Sequence, residues 1–481
     1  MTESARIKRN SIFSFFSMAS RLIANVIVFW LIARIYGPEQ FGIFTFAHTT
    51  ATLLILLGDF GFDLLLTTEI AKDRSNALQI FQDIFSLKIV FTLLAFFIMW
   101  IFTFWGNMPS ETKITLWIFS FFLLFTTLTN FSISLIKGFE KFSYETVISI
   151  IMNLSLIICI VIFAINKSSI QILASVFAIT RIIGFLLSLY FSKKVLPKIS
   201  FRIKFSKDKS LHKKVLVFGL NLLFTNLFFQ LDTILLSVFK GNQAVGFYQA
   251  VFKLIILPLM IPDVLNFTLL PVLSRLFVNE PLKAKKILLL MNKILVLFAV
   301  PITLILFLFP DQIINIIYGK DLYSQSIPIL RIFAFNIFVR FAFESFALIL
   351  TTTDRQIVRM YTVIIATIIN VILNLILIPK FGLIGAAYVS LITIIFVYFV
   401  YTFNSMSLFK EWFINFKTAL LFISGISIGI LMLVLKMNLL VGIPVILISF
   451  SAFGVFYYLT SEERDILFSM DFLNFSKIKK S

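Results

Sequence analysis

Twelve ionisable side chains interrupt stretches of this sequence that are otherwise apolar. The basic ones are Arg21, Lys88, Arg181, Lys253, Lys293, Arg331 and Arg340; the acidic ones are Asp59, Asp63, Asp232, Asp263 and Glu344. Two chemistries follow from these types. A carboxylic acid held away from water can take up and release a proton near neutral pH. A guanidinium offers a planar fork of donors that matches phosphate. Metal chemistry is poorly served. The chain has one cysteine, Cys159, and two histidines, His48 and His212, far apart in sequence. No His/Cys metal site and no disulfide within the chain is expected. Cys159 reads as a small buried hydrophobe, His48 as a proton-relay candidate inside a span, and His212 as solvated. The tripeptide Asp59-Phe60-Gly61 matches the magnesium-binding motif of protein kinases. However, the chain has no His-Arg-Asp catalytic loop, no phosphate-covering Gly-rich loop and no G-x-x-x-x-G-K-[ST] segment. Neither kinase chemistry nor direct drive by ATP is expected, and no cofactor is implied.

The elements that must hold these charges are membrane helices. The chain is 60% hydrophobic and 14% charged over 481 residues, with mean hydropathy +1.02. A soluble domain cannot keep that much apolar surface from water, so the fold class is an all-α polytopic membrane protein. A bilayer core takes about 20 apolar residues per helix. That ruler gives about fourteen spans, at 11–33, 42–67, 84–106, 114–136, 144–165, 169–192, 214–238, 245–272, 287–310, 325–351, 358–378, 382–405, 414–435 and 440–460. The N-terminus reads as a retained first span rather than a cleaved signal. With the N-terminus inside, 28 of the 42 Lys and Arg fall on the inner side, 7 on the outer side and 7 within spans. This bias puts both termini in the cytoplasm. It also accounts for the net charge of +19 through topology and attraction to anionic headgroups, without nucleic acid. The longest outer loop, around 311–324, is too short to house an enzyme's catalytic groups.

The sequence also repeats. At a shift of 204, Gly37 meets Gly241, Gly42 meets Gly246, Phe44 meets Tyr248, Arg9 meets Lys213 and Asp59 meets Asp263. At a shift of 205, Lys88 meets Lys293. At a shift near 213, Ile165-Asn166-Lys167 meets Ile378-Pro379-Lys380. The glycines mark tight external turns, where positive φ is needed. The expected organisation is an N-lobe of six spans (1–192), a basic cytoplasmic linker (193–213), a C-lobe of six spans (214–405), and two further spans with a cytoplasmic tail (406–481). An even number of spans per copy keeps the two copies in the same orientation around a central cavity, an arrangement suited to alternating access.

The ARIYGPEQFGIF turn at 33–44, the LLGDFGF segment at 56–62 and FFQLDTILLSVFKGNQAVGFYQAVFKL at 228–254 resemble the polysaccharide repeat-unit flippases. These belong to the multidrug/oligosaccharidyl-lipid/polysaccharide exporter superfamily. The resemblance covers the first twelve spans and includes Asp232. It implies a V-shaped pair of six-helix lobes. It also implies translocation of an undecaprenyl-diphosphate-linked oligosaccharide, of the O-antigen or capsule type, to the outer leaflet of a bacterial inner membrane, with H+ or Na+ coupling. Asp63 lies outside the family pattern.

The repeat sorts the buried charges. Asp59 and Asp263, with Lys88 and Lys293, occur in both halves and read as scaffold pairs, one Asp–Lys pair per half. Arg21 is an alternative partner for Asp59. Arg21, Arg181, Lys253, Arg331 and Arg340 have no counterpart, and a cationic cavity for an anionic diphosphate could be built from them. Arg340 and Glu344 lie four apart on one helix face and could neutralise each other; Arg331 could snorkel to the outer interface. Asp232, Glu344 and Asp63 are the carboxylates available for ion coupling, with Asn226 or Asn25 as an ordinary hydrogen-bond partner for Asp232. Trp30, Trp100 and Trp105 mark outer ends and Trp412 an inner end. The competing readings are a lipid II flippase or a drug/cation exporter of the same superfamily and, from another class, a membrane glycosyltransferase or polymerase. The two extra spans and the surplus of lone Arg and Lys argue against the exporter. The enzyme reading lacks the large polar loop it needs.

Overall fold

The computed structural model describes residues 3–104, 108–202, 209–353, 355–406 and 416–468. Trp105 and Trp412 lie outside the described residues, as do the side chains of His212 and Asn226. In a bilayer every backbone N–H and C=O must be satisfied within the protein, and a helix does this with its own residues. The described residues are accordingly helical, with no strand among them. In chain order the helices are α1 (Glu3–Asp59), α2 (Phe62–Lys72), α3 (Ala77–Phe102), α4 (Ser110–Gly138), α5 (Phe142–Ile165), α6 (Ile170–Val195), α7 (Lys209–Asn279), α8 (Pro281–Leu308), α9 (Pro310–Tyr318), α10 (Ser326–Thr352), α11 (Gln356–Ser405), α12 (Phe416–Val434), α13 (Leu439–Phe453) and α14 (Ser461–Phe468).

Among the described residues, eleven helical segments are long and apolar enough to cross a membrane. The fourteen expected spans therefore do not all emerge as separate helices. Three segments are broken internally by a glycine with positive φ: Gly37 (71°) in α1, Gly241 (79°) in α7 and Gly382 (58°) in α11. The first two fall where the sequence reading puts a turn between two spans; Gly382 falls on the first residue of the span read as 382–405. Pro38 follows the first break, at a position where a helix start has no use for its missing N–H.

The chain divides into two compact units, Met1–Ala250 and Val251–Ser481. In the first, α4 packs on α6 and α1 on α5. The α1–α5 seam is polar: Ser17 donates to Ser149 (2.8 Å) and Asn153 to Ser20 (3.0 Å). Phe62, Leu65, Phe81, Phe85 and Phe131 form an apolar cluster that joins α2, α3 and α4. Outside the spans, Arg74 bonds Glu140 at 2.8 Å and ties two loops together. Asp73 accepts from Ser75 and Asn76, and these bonds hold its carboxyl below the usual carboxylate range. In the second unit α10 packs on α11 and α8. Leu290 and Val300 of α8 meet Leu421 and Met432 of α12 and Ile446 and Phe450 of α13 in one cluster. Gln312 of α9 accepts from the Leu439 amide at 2.7 Å.

Candidate functional site

The buried charges gather in three places, each inside one unit. The first is the junction of α1 and α2. The helix breaks at Phe60 and Gly61, whose φ angles of 41° and 79° are left-handed. The break aims Asp59, the last residue of α1, and Asp63, in the first turn of α2, at the same ammonium. Lys88 Nζ donates to Asp59 Oδ1 at 3.1 Å and to Asp63 Oδ1 at 3.0 Å. The Asp63 amide also donates to Asp59 Oδ1 at 3.1 Å. The structure therefore brings Asp59 and Lys88 together, and adds Asp63 to them. Arg21, the alternative partner for Asp59, is exposed elsewhere on α1.

The second place holds Arg181 on α6. Its guanidinium carbon lies 5.3 Å from the Phe122 ring centroid, and its Nε has no hydrogen-bond partner. Arg21 is near enough for the two positive charges to repel. Ring stacking satisfies only part of a guanidinium's donors. His48, the relay candidate, sits close by among four phenylalanine rings, Phe29, Phe119, Phe122 and Phe177, with centroids 5.0–5.9 Å away.

The third place is in the second unit. Here the expected Asp263–Lys293 pair does not form. Arg340 takes Asp263 at 2.5 Å, and Lys293 instead reaches Glu463 at the start of α14, at 2.6 Å. The physical reason is the added C-terminal segment. It brings a carboxylate that the first half lacks, while Arg340, also absent from the first half, claims Asp263. Arg340 Nε lies 3.7 Å from Glu344, as their spacing of four allows. Glu344 also accepts from Asn266 at 2.6 Å and from the Tyr398 hydroxyl. Arg340 is thus committed to two acids, not presented to a cavity. Arg331 pairs with Asp311 of α9 at 3.3 Å, both about half exposed, so it stands at a helix end. Lys253 is partly buried on α7.

Asp232, on the α7 segment before Gly241, accepts from the Tyr248 hydroxyl at 2.7 Å, across the break. Next to it Gln249 donates to Thr233 at 2.6 Å. Tyr248 was legible as the repeat partner of Phe44 that had gained a hydroxyl. Tyr398, Asn266 and Glu463 gave no such signal. No group of three or more His, Cys, Asp or Glu able to hold a metal occurs among the described residues.

The two repeat turns of the first unit touch each other. A methyl group built on Gly42 would strike the Asn242 carbonyl and come within 2.9 Å of the Gly246 nitrogen. One built on Gly246 would strike the Pro38 carbonyl. Asn242 also donates to Thr112 at 2.8 Å. Glu39, Thr112, Ser237, Lys240, Asn242 and Gln243 line a cavity of about 580 Å³ at this contact.

Residues 7–277 match the family described as "Polysaccharide biosynthesis protein", which is more than half of the chain. The chain belongs to this family. Residues 218–376 also match the MatE family. Over 174 residues the chain is 29% identical to the Escherichia coli K12 protein named "Putative O-antigen transporter", covering 36% of this chain and 41% of that one. Over 116 residues it is 35% identical to an uncharacterized membrane protein of Methanocaldococcus jannaschii, covering 24% and 21%. The chain thus spans about two fifths and one fifth of the lengths of these curated relatives. Among solved structures, it resembles lipid II flippase MurJ in an inward closed conformation, with TM-score 0.72, 18% identity, and 95% and 99% of the two chains covered. It also resembles an inward-facing multidrug resistance MATE family transporter of the MOP superfamily, with TM-score 0.65, 12% identity, and 81% and 96% covered. At these identities the likeness is one of fold. The protein is a multi-pass membrane protein of the polysaccharide biosynthesis family.

Proposed function

We propose that this chain flips an undecaprenyl-diphosphate-linked oligosaccharide from the inner to the outer leaflet of a bacterial inner membrane. Both termini are cytoplasmic, access alternates between the two faces, and an ion (H+ or Na+) drives the cycle. The family match supports a polysaccharide lipid as cargo. The observation that carries the reading is the Arg21–Arg181 corner. A buried guanidinium beside a second positive charge, with an Nε lacking any partner, is costly unless an anion enters. A diphosphate supplies two adjacent anionic groups for two guanidinium forks. Lys253 of α7 is proposed as a separate cationic contact for the cargo. Asp232, Glu344 and Asp63 remain the coupling carboxylates under this reading. The division into six-span lobes at 1–192 and 214–405 belongs to it as well.

The test is a leaflet assay. Purified protein is reconstituted with a polyprenyl-diphosphate-linked oligosaccharide, and the sugar reaching the far leaflet is measured by glycosidase digestion. Arg21→Gln, Arg181→Gln and Lys253→Gln are each expected to slow flipping by roughly tenfold or more, the equivalent of one charge-assisted hydrogen bond. Unchanged flipping in all three ends the cationic-site reading. A second reading, a lipid II flippase, is favoured by the fold likeness to MurJ over 95% of the chain. Lipid II supplied in the same assay separates the two.

A further inference from the structure

We propose that Asp59, Asp63 and Lys88 form a proton-binding centre in which the two carboxylates share one exchangeable proton beside the Lys88 ammonium. Two anions face one cation here, at 3.1 and 3.0 Å, and the cation is wholly buried while the carboxylates keep 19% and 17% of their surface. A one-to-one ion pair is neutral. This centre carries one uncompensated negative charge inside a membrane helix pair, where such a charge is expensive. A proton removes that charge with no change of fold, and the partial exposure of both carboxylates gives it a route in. The ammonium occupies the place a bound metal cation would need, so the site selects H+ over Na+.

The groups around the centre leave the charge to this trio. α1 contributes Asp59, α2 contributes Asp63 and α3 contributes Lys88. From α4 come the Phe131 ring, 5.7 Å from the ammonium, and the Ser134 carbonyl, which is bonded by Thr67. The charged groups acting on Asp63 are Lys88 and Asp59. Because the carboxylates are this close, they titrate as a unit and the proton belongs to the pair. Protonation writes simply: a carboxylate takes H+ from water to become a carboxylic acid, and Lys88 keeps its three protons.

The placement gives the proton mechanical leverage. The centre straddles the Phe60–Gly61 break, and the Asp63 amide reaches across it to Asp59. Adding a proton to Asp59 weakens that bond and loosens one hold on the angle between α1 and α2. In the second half of the repeat the equivalent acid, Asp263, bonds Arg340 at 2.5 Å, and Glu344 lies 3.7 Å from the same guanidinium, so the lysine-centred trio is particular to the first half. Use of the centre to drive transport rests on the flippase reading; the centre itself does not.

The experiment is an infrared difference titration of the purified full-length protein in lipid nanodiscs, without substrate, from about pH 8 to about pH 5. A protonated-carboxyl band should grow in on acidification. Asp59→Asn and Asp63→Asn should each remove it, because either change leaves one carboxylate to one ammonium. Lys88→Arg should retain it. A titration identical in wild type and both Asn variants, or the absence of any such band, overturns the proposal. The leaflet assay separates the two claims. A titrating band with no flipping leaves the centre standing and removes the flippase, and flipping without a band does the reverse.

Discussion

The contact between the two repeat turns makes a sharp prediction for Gly42→Ala. The added methyl lands on the Asn242 carbonyl and sits 2.9 Å from the Gly246 nitrogen. Both obstacles are backbone, so no rotamer change relieves the overlap, and the turns must move apart. Overpacking of this kind costs about 1–3 kcal/mol. Taking about 2 kcal/mol, the touching arrangement loses roughly 30-fold in population against any arrangement in which the turns are separated. Spin labels at Glu39 and Gln243, which line the same cavity, would report this once Cys159, the chain's single cysteine, is replaced by serine. Wild type should give a short-distance population that Gly42→Ala depletes, together with a fall in Tm on the order of a few degrees. Gly246→Ala should do the same through Pro38. The double variant should cost less than the sum, since the first methyl has already parted the turns. Gly37→Ala is the control. A methyl there meets nothing within 4 Å, so it strains the backbone at φ 71° without parting the turns. Unchanged distances and Tm in both Gly42→Ala and Gly246→Ala would refute the reasoning.

Three further outcomes follow from the charge and hydrogen-bond geometry. Double-mutant cycles on thermal unfolding should give a coupling of about 1 kcal/mol between Asp263 and Arg340, reduced from a buried pair's value because Asp263 is 44% exposed; the Asp263–Lys293 cycle should give none. Tyr248→Phe removes a donor from the buried Asp232 carboxylate and should cost about 1–3 kcal/mol; a wild-type melting curve would show that this bond carries no weight. Asp73→Ala should speed amide exchange at Ser75 and Asn76. The Asp73 pKa is lowered, so its capping is present above the ordinary carboxylate value of about 3.9 and is lost only as pH falls through the lower folded value. Protection at these amides should therefore be flat between about pH 5 and 8, and a loss of protection within that window would contradict the assignment.

Sequence alone determined the membrane class and the helix breaks at Gly37 and Gly241. These depend on local quantities: the length of apolar runs, the need for positive φ at glycine, and spacing along one chain. Gly37 and Gly241 break helices where they were expected to. It also picked out the ionisable residues within apolar runs, because a charge in such a run stands out whatever it touches. What sequence could not decide was which charge meets which. The repeat predicted the same Asp–Lys pair in both halves. In the first half Lys88 has Asp59 but shares itself with Asp63, because the left-handed Phe60–Gly61 break turns both acids onto it. In the second half Arg340 takes Asp263 and Glu463 takes Lys293. A salt bridge is set by distances of a few ångströms between side chains that can be 170 residues apart, and only the packing of helices against one another fixes those. Asp59 and Asp63 are thus legible as charges from sequence, and as two acids on one base only from the fold.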